Sequence, residues 1–165
     1  MCKKGCCTLS ISNYKKIYNN YKRRSNKKAG MFIYDKKEDK ILLVQSRGNL
    51  WGPPKGTLED NERDVDCAFR EVFEEVGLKI EPNEIKSMTY LKNNSLYFYV
   101  ERNISEIDIK SHKNNDVNGY CWIKPRCLLD FINSGNMMIN LHCRLTFKIF
   151  MDIKFPPSTF TLIKK

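Results

Sequence analysis

Hydrophobic positions along the chain follow two periods, one typical of strands and one typical of helices. Short apolar runs at residues 29–34 and 40–46 lie on either side of a polar turn and predict two strands. Residues 87–91 and 95–101 flank a second polar turn, which predicts a hairpin. Residues 119–124 predict one further strand. These strands indicate a domain built around a sheet.

Three segments carry apolar residues at three- and four-residue intervals, the spacing of one helix face. The first covers residues 62–76 and ends before Gly77, which suits a left-handed helix cap. The second begins at Pro125, and the third covers residues 137–153. We predict that the apolar positions of the third helix face the core, namely Met138, Leu141, Leu145, Ile149 and Ile153. The Gly and Pro residues between positions 46 and 56 predict a loop without regular structure.

Length and composition favour a single globular domain. A chain of 165 residues can bury a core of its own, and its hydrophobic fraction of 41% is that of a globular protein. No apolar run is long enough to span a membrane, and the N-terminal residues lack the apolar stretch of a secretory signal. We therefore expect an intracellular, cytoplasmic protein.

The net charge of +10 comes from one end of the chain. Residues 1–28 hold nine Lys and Arg and no acid, whereas residues 29–165 hold twenty basic and nineteen acidic side chains. We therefore predict a basic N-terminal arm at 1–28 and one domain at 29–165. Two interpretations of the arm stay open: a contact for polyanions such as RNA, with strong salt dependence, and a partly disordered leader that aids solubility.

The chain has seven cysteines, an odd number without a regular spacing. Reduced thiols fit this pattern better than a disulfide framework. Cys2, Cys6 and Cys7 lie close together in sequence, but no fourth ligand follows at the spacing of a zinc finger. A structural zinc site is therefore not predicted.

The helix predicted for residues 62–76 carries three acids close together. Glu71, Glu74 and Glu75 lie at positions i, i+3 and i+4 and so share one face. Like charges this close repel each other unless a cation neutralises them, which favours a divalent ion with oxygen ligands. Acidic faces are also common on helices without a metal, so the three acids alone do not decide. Arg70 lies one turn before Glu74 and is predicted to orient it.

The loop before this helix supplies groups that suit a phosphate. Lys55 brings a positive charge, and Gly56 lets the backbone approach a ligand closely. Together with the acids, these two residues indicate a polyphosphate substrate. Two roles of Trp51 stay open: stacking of its ring on the substrate, and burial of its ring beside the end of a strand.

One spacing joins the loop to the helix. Five residues separate Gly56 from Glu62, and seven residues separate Glu62 from the run 70–78. This run reads Arg-Glu-Val-Phe-Glu-Glu-Val-Gly-Leu. All nine fixed positions of this signature are present over 23 residues, and the chain thereby resembles the Nudix hydrolases. The resemblance covers roughly residues 29–155. It implies an α/β fold, the Nudix α/β/α sandwich with a mixed β-sheet between helices.

The resemblance also implies an activity and its residues. Nudix hydrolases need Mg²⁺ or Mn²⁺ and cleave nucleoside diphosphates linked to another moiety. By the motif, Glu71, Glu74 and Glu75 would bind metal or act as the base, and which of them is the base stays open. Asp116 precedes an aromatic strand at a place where many members have an acid that binds metal or acts as a base. The usual residue there is Glu, so the side chain of Asp116 has a shorter reach.

Several substrates are compatible with the resemblance. The run at residues 51–56 is similar to that of mRNA-decapping enzymes at Gly52 and to that of animal-type diadenosine tetraphosphate hydrolases at Pro53. The basic arm favours capped RNA, which is the preferred hypothesis. Dinucleoside polyphosphates and diphosphoinositol polyphosphates are the alternatives. A non-catalytic module that binds RNA or nucleotides is the alternative of another class.

Overall fold

The computed structural model describes residues 5–11, 27–46, 49–91, 94–103 and 117–154. Its strands are β1 (Thr8–Ile11), β2 (Lys28–Asp35), β3 (Lys40–Ser46), β4 (Leu50–Gly52), β5 (Lys55–Thr57), β6 (Ile85–Leu91), β7 (Ser95–Arg102) and β8 (Val117–Ile123). Its helices are α1 (Asp64–Val76), α2 (Pro125–Ser134) and α3 (Leu141–Lys154), with a short 3₁₀ helix at Pro82–Glu84. None of these helices combines the length and the apolar character that crossing a bilayer requires.

The strands form one mixed sheet. Six of them lie in the order β1-β8-β3-β2-β7-β6, while β4 pairs with β3 and β5 pairs with β2. The central strands β2 and β7 run parallel, and every other pair is antiparallel. The predicted hairpin is present as β6 and β7. The pairing confirms the mixed sheet that the resemblance implies.

Alternate residues of the central strands build two cores on opposite faces of the sheet, because side chains alternate along a strand. Met31 and Ile33 pack with α1 in the first core. Phe32 and Tyr34 pack with α2 and α3 in the second core. Helices therefore cover both faces, which confirms the predicted α/β/α sandwich.

The predicted core face of the third helix is wrong. Leu141 and Ile153 are 62% and 61% exposed, and Met138 and Leu145 are exposed as well. The buried face of α3 consists of Cys143, Thr146, Phe147 and Phe150. The segment has two apolar stripes, and the stripe with the aromatic rings is the buried one. The ring of Phe150 lies 5.2 Å from that of Phe32 and 5.0 Å from that of Tyr34, so the aromatic stripe packs against the rings of the central strand β2.

The helix α3 also begins later than predicted, because the backbone before it pairs with β4. The N–H of Trp51 donates to the carbonyl of Met138 at 2.8 Å, and the N–H of Asn140 donates to the carbonyl of Trp51 at 2.9 Å. The side-chain oxygen of Asn140 then accepts the N–H of Cys143 at 2.8 Å, which caps the first turn. Residues 137–140 are thus held in an extended path, and the helix begins at Leu141.

The prediction of a loop without regular structure before the signature helix is wrong for two short segments. The strand β4 pairs with β3, and β5 pairs with β2. Strands of three residues are too short to show a period in sequence, and here the longer neighbours impose the pairing. Pro53 and Pro54 lie between the two strands, where a missing backbone N–H removes no ladder bond.

Part of the segment predicted as a basic arm belongs to the sheet. Residues 8–11 form β1 and pair antiparallel with β8, although all four side chains are exposed. Lys28 begins β2, and the ammonium of Lys27 lies 2.8 Å from the carboxylate of Asp64 on α1. Residues 12–26 lie outside the described residues. The boundary between residues 28 and 29 stays a prediction.

Candidate active site

The helix α1 carries the acids of the signature and is anchored to the sheet by its apolar face. It ends at Gly77, whose φ of 72° and whose N–H bond to the carbonyl of Phe73 confirm the predicted left-handed cap. The predicted apolar stripe lies in the first core, either buried or packed against it: Val65, Ala68, Phe69, Val72 and Val76. This anchoring fixes the side of the helix that bears Glu71, Glu74 and Glu75.

The three acids differ in exposure. Glu75 is 7% exposed, and the side chain of Glu71 is 15% exposed, whereas 52% of the Glu74 side chain is exposed. Removing a carboxylate from water is costly unless other groups satisfy its oxygens. Glu71 and Glu75 therefore need hydrogen-bond donors that keep their carboxylates stable in a buried place.

Arg70 joins the acids of the signature through its guanidinium. Its Nε and Nη2 donate to the two oxygens of Glu62 at 2.8 and 2.9 Å, a paired geometry that only a planar guanidinium provides. Its Nη1 donates to Glu71 Oε1 at 2.8 Å and to Glu74 Oε2 at 3.2 Å, so the predicted contact with Glu74 is present. Its Nη2 also reaches the carbonyl of Thr57 at 3.2 Å. One side chain thus ties the helix to the loop.

Gly56 is required because the carboxylate of Glu71 occupies the place where a side chain would begin. A Cβ added at position 56 would overlap the carboxyl group of Glu71. The strand β5 holds this position, since Gly56 pairs with Ala29 of β2. The signature therefore has glycine at this position because the carboxylate of Glu71, another signature residue, leaves no room for a side chain.

Lys55 contacts the helix through its backbone. Its N–H donates to Glu75 Oε2 at 3.1 Å, which satisfies one oxygen of this buried carboxylate. The Lys55 side chain is half-buried, and its charge acts on the imidazole of His142. The lysine predicted to contact phosphate is thus adjacent to Glu75, the most buried of the three glutamates.

Tyr97 and His142 lie near these residues and were not predicted. The hydroxyl of Tyr97 and Nδ1 of His142 are 2.7 Å apart. Burial raises the pKa of Tyr97 well above its ordinary value, and burial together with the charges of Lys55 and Lys28 lowers the pKa of His142 to about 4. At neutral pH the imidazole of His142 is therefore uncharged, and its tautomer decides which of the two groups donates the hydrogen bond. A single tyrosine in a strand and a single histidine in a helix offer no spacing that could have revealed the pair.

The acids lie in an environment that resists negative charge at Glu71. Burial raises the pKa of Glu71, and the charges of Glu74 and Glu62 raise it further, while Arg70 opposes this shift. A divalent cation near these oxygens would favour the ionised form. The pKa of Glu71 is thus raised mainly by burial, and a cation bound beside it would lower that pKa.

The donor set fits a hard divalent cation, because such ions prefer carboxylate oxygens. Glu71 and Glu74 accept from Arg70, and Glu75 accepts from Lys55. Among the described residues, the carboxylates do not form a group of three whose oxygens all lie within 4.8 Å of one another. Binding of one ion by all three glutamates would therefore bring their oxygens closer together than they lie here.

The pair of Glu62 and Arg70 predicts a pH dependence of stability. Arg70 lowers the pKa of Glu62 from 4.5 to about 2. A lowered pKa contributes stability above pH 4.5 that is lost as the pH falls toward 2, and for this shift the contribution is about 3 kcal/mol. We expect Glu62→Gln to reduce the free energy of unfolding at neutral pH, and the difference from the wild type to shrink below pH 4.5. Urea unfolding across this range measures the difference.

The exposed Glu59 provides a control for this prediction. Glu59→Gln removes the same charge from the same loop but leaves the contact with Arg70. Its unfolding free energy should follow that of the wild type at every pH. A difference between the wild type and Glu62→Gln that stays constant down to pH 2 would contradict the lowered pKa.

Two predicted site residues remain, Trp51 and Asp116, and the structure describes only the first of them. Trp51 is 5% exposed and belongs to the second core, on the face of the sheet opposite α1. It also lines a cavity of about 590 Å³, so both interpretations of this residue stay open. Asp116 lies outside the described residues.

Comparison with protein families identifies the chain. A model of the NUDIX domain matches residues 24–137. The chain belongs to the Nudix family. The match includes the whole signature from Gly56 to Leu78, and it confirms the resemblance found in the sequence. A Nudix domain with the complete signature is a pyrophosphohydrolase that acts on phosphoric anhydride bonds, and the family generally uses divalent metal ions and substrates of nucleotide type.

Three relatives and one solved structure show how this Nudix chain compares with known proteins. Protein 111R of Invertebrate iridescent virus 3, named as a hydrolase, is 30% identical over 135 residues, which are 78% of this chain and 79% of that protein. The mRNA decapping complex subunit 2 of Schizosaccharomyces pombe is 37% identical over 82 residues, 46% of this chain and 11% of that protein. The mRNA-decapping protein g5R of African swine fever virus is 34% identical over 94 residues, 51% of this chain and 38% of that protein.

The solved structure of DR0079 from Deinococcus radiodurans superposes with a TM-score of 0.59 at 15% identity, and it covers 86% of this chain and 97% of that one. This likeness shows that the two proteins share a fold. The Nudix chain spans well under half the length of both decapping relatives. The likeness to them therefore concerns the Nudix domain alone.

Proposed function

We propose that the chain hydrolyses the diphosphate linkage of capped RNA. The main support is the complete acid signature, held by Arg70, in a chain similar to decapping proteins of yeast and of a virus. The nine basic residues among positions 1–28 add a charge that suits a long polyanion. Capped RNA combines the two features, since it carries a phosphoric anhydride at one end and a chain of phosphates beyond it.

Glu71, Glu74 and Glu75 would hold the divalent ion, Mg²⁺ or Mn²⁺. When bound, the ion supplies positive charge that stabilises the leaving phosphate and makes a water molecule more acidic. Arg70 positions Glu71 and Glu74 through its Nη1. The backbone of Lys55 positions Glu75, and the Lys55 ammonium contacts phosphate oxygens. One of the three glutamates accepts the proton of the attacking water.

A panel of substrates tests the proposal. Capped RNA, diadenosine tetraphosphate, a nucleoside diphosphate sugar and a diphosphoinositol polyphosphate are incubated side by side with Mg²⁺ and with Mn²⁺. We expect capped RNA to have the highest kcat/KM. Mass spectrometry in heavy-oxygen water identifies the phosphate that water attacks, because one of the two phosphorylated products gains the label.

Each other outcome of the panel points to one alternative. Higher kcat/KM for a dinucleoside or inositol substrate would replace the proposed substrate while keeping the class of enzyme. RNA binding without hydrolysis of any member would favour the non-catalytic module. Three retained acids at one site count against that module, because a binding site for RNA gains nothing from additional negative charge.

The contribution of the basic arm to RNA binding can be tested without removing any part of the sheet. Deletion of residues 1–28 would remove β1, so the test replaces basic side chains of the arm and keeps its backbone. We expect Gln at the five basic positions between residues 12 and 26 to weaken RNA affinity and to reduce the slope of log affinity against log salt, by up to about 0.7 for each lost phosphate contact. The five positions are Lys15, Lys16, Lys22, Arg23 and Arg24.

A second variant with the same change in net charge serves as the control. It carries Gln at five basic positions elsewhere on the domain surface, namely Lys36, Lys79, Lys86, Arg126 and Lys148. Fluorescence anisotropy with a labelled RNA at several salt concentrations measures both slopes. Equal slopes in the two variants would show that the arm acts only through net charge.

A further inference from the structure

Three cysteines from two distant parts of the chain meet beside β1. Cys6 and Cys7 lie just before this strand, and Cys127 lies near the start of α2. The Sγ atom of Cys6 is 3.4 Å from that of Cys127 and 3.8 Å from that of Cys7. All three Sγ atoms lie within 4.8 Å of one another, and no other His, Cys, Asp or Glu group of this kind occurs in the described part of the chain.

These spacings match the ligand atoms of a thiolate site. With a Zn–S bond of about 2.3 Å, two sulfur ligands of a tetrahedral zinc ion lie about 3.8 Å apart. A disulfide needs sulfur atoms at about 2.05 Å and would leave the third thiol without a role. The three thiols are half-buried, so an ion can reach them.

Ordinary packing is the alternative explanation, because a free cysteine often behaves as a small apolar side chain. Cys7 and Cys127 do contact the second core. The fully buried cysteines of the described chain, Cys67, Cys121 and Cys143, do not form such a group. Packing explains a buried cysteine of that kind, but it gives no reason for three thiols to converge at a half-exposed place.

We propose that Cys6, Cys7 and Cys127 bind a thiophilic divalent cation, for which Zn²⁺ is the natural occupant. The three thiols lose their protons to solvent and coordinate as thiolates, and a ligand other than these side chains completes the tetrahedron. This site differs from the acids of α1, because hard cations select carboxylate oxygens and zinc accepts sulfur. It is also independent of the substrate proposed above.

The ion would fasten β1, which lies at one edge of the sheet among the described strands. The four residues of β1 are exposed, so backbone pairing with β8 contributes most of its attachment. A thiolate site would connect the residues before β1 to α2 directly. Cys7, Thr8 and Leu9 also line the cavity of about 590 Å³ that Trp51 borders. The ion would therefore fix one wall of this cavity.

Cobalt provides a direct test, since Co²⁺ replaces Zn²⁺ in thiolate sites and reports its ligands by colour. The whole protein is purified under reducing conditions with zinc, and its metal content is measured by mass spectrometry. The zinc is then exchanged for cobalt. We expect about one Zn²⁺ per chain at the cysteines, and sulfur-to-cobalt charge-transfer bands that carboxylate ligands do not give. Cys127→Ser should weaken zinc binding at least about 100-fold and remove these bands.

Cys143→Ala is the matched control, because it removes a thiol from α3 outside the group. It should keep the zinc and the cobalt spectrum. Cys6→Ser provides a second variant in case Cys127→Ser fails to fold, and far-ultraviolet circular dichroism shows which variants are folded. For the wild type, the Tm should rise with added zinc in the presence of reductant.

Two results would overturn the proposal. One is a folded, reduced wild type that retains no zinc and shows no thiolate bands with cobalt. The other is a Cys6→Ser or Cys127→Ser variant with the zinc affinity of the wild type.

Discussion

Glu75→Gln is expected to lower kcat by at least about 100-fold while leaving the fold intact. The substitution keeps the size of the side chain and an oxygen that accepts the N–H of Lys55, the bond seen at 3.1 Å. It removes the charge that would bind the divalent ion and the basicity that would accept a proton. Steady-state kinetics with Mg²⁺, together with thermal unfolding, separates loss of activity from loss of structure.

Glu38→Gln is the control for this substitution. It removes the same charge from the turn that follows β2, whereas the site lies beside the start of β2. Eight residues of strand separate these two ends by about 25 Å. Glu38→Gln should therefore retain full turnover. Unchanged Mg²⁺-dependent turnover in Glu75→Gln would remove Glu75 from the proposed site.

Arg70→Ala is expected to reduce the free energy of unfolding by about 3 kcal/mol or more. The substitution leaves Glu62 and Glu71, whose side chains are 14% and 15% exposed, without their main cationic partner. It also removes the bond to the carbonyl of Thr57, which is one of the links between the loop and the helix. Urea unfolding at neutral pH measures this loss.

Two further variants make the interpretation specific. Arg63→Ala removes an ion pair with Asp66 on the same helix, but the Arg63 side chain is 77% exposed, and exposed pairs contribute little. Its unfolding free energy should stay close to that of the wild type. Glu62→Gln combined with Arg70→Ala should recover part of the loss, because the unpaired carboxylate is then gone. Equal stability of Arg70→Ala and Arg63→Ala would contradict the role of Arg70.

The sequence predicted those parts of the molecule whose cause is local. The apolar stripe of α1 and the cap at Gly77 follow from spacing within one helix, and both are present. The signature also led to the family, because its nine positions lie within 23 consecutive residues and can be read directly from the chain. The close approach of Gly56 to Glu71 explains in physical terms why a glycine stands at that spacing.

The features that sequence reasoning missed depend on contacts between distant segments. The buried face of α3 was wrongly predicted because two apolar stripes compete, and the rings on β2 and β7 decide between them. Tyr97 and His142 are 45 residues apart and meet only where α3 lies against β7. Cys127 follows Cys6 by 121 residues, so a search for finger-like spacing could not find it. Such contacts become visible once the strand order is known.

The bond between Lys55 and Glu75 has a consequence for how this enzyme can diverge. Glu75 is held by the backbone N–H at position 55, and every residue type except proline supplies that donor. This one contact therefore does not depend on which side chain stands at position 55. A substitution there changes what the loop offers to a substrate but keeps the backbone donor of Glu75, so specificity and the geometry of the proposed site can evolve by separate steps.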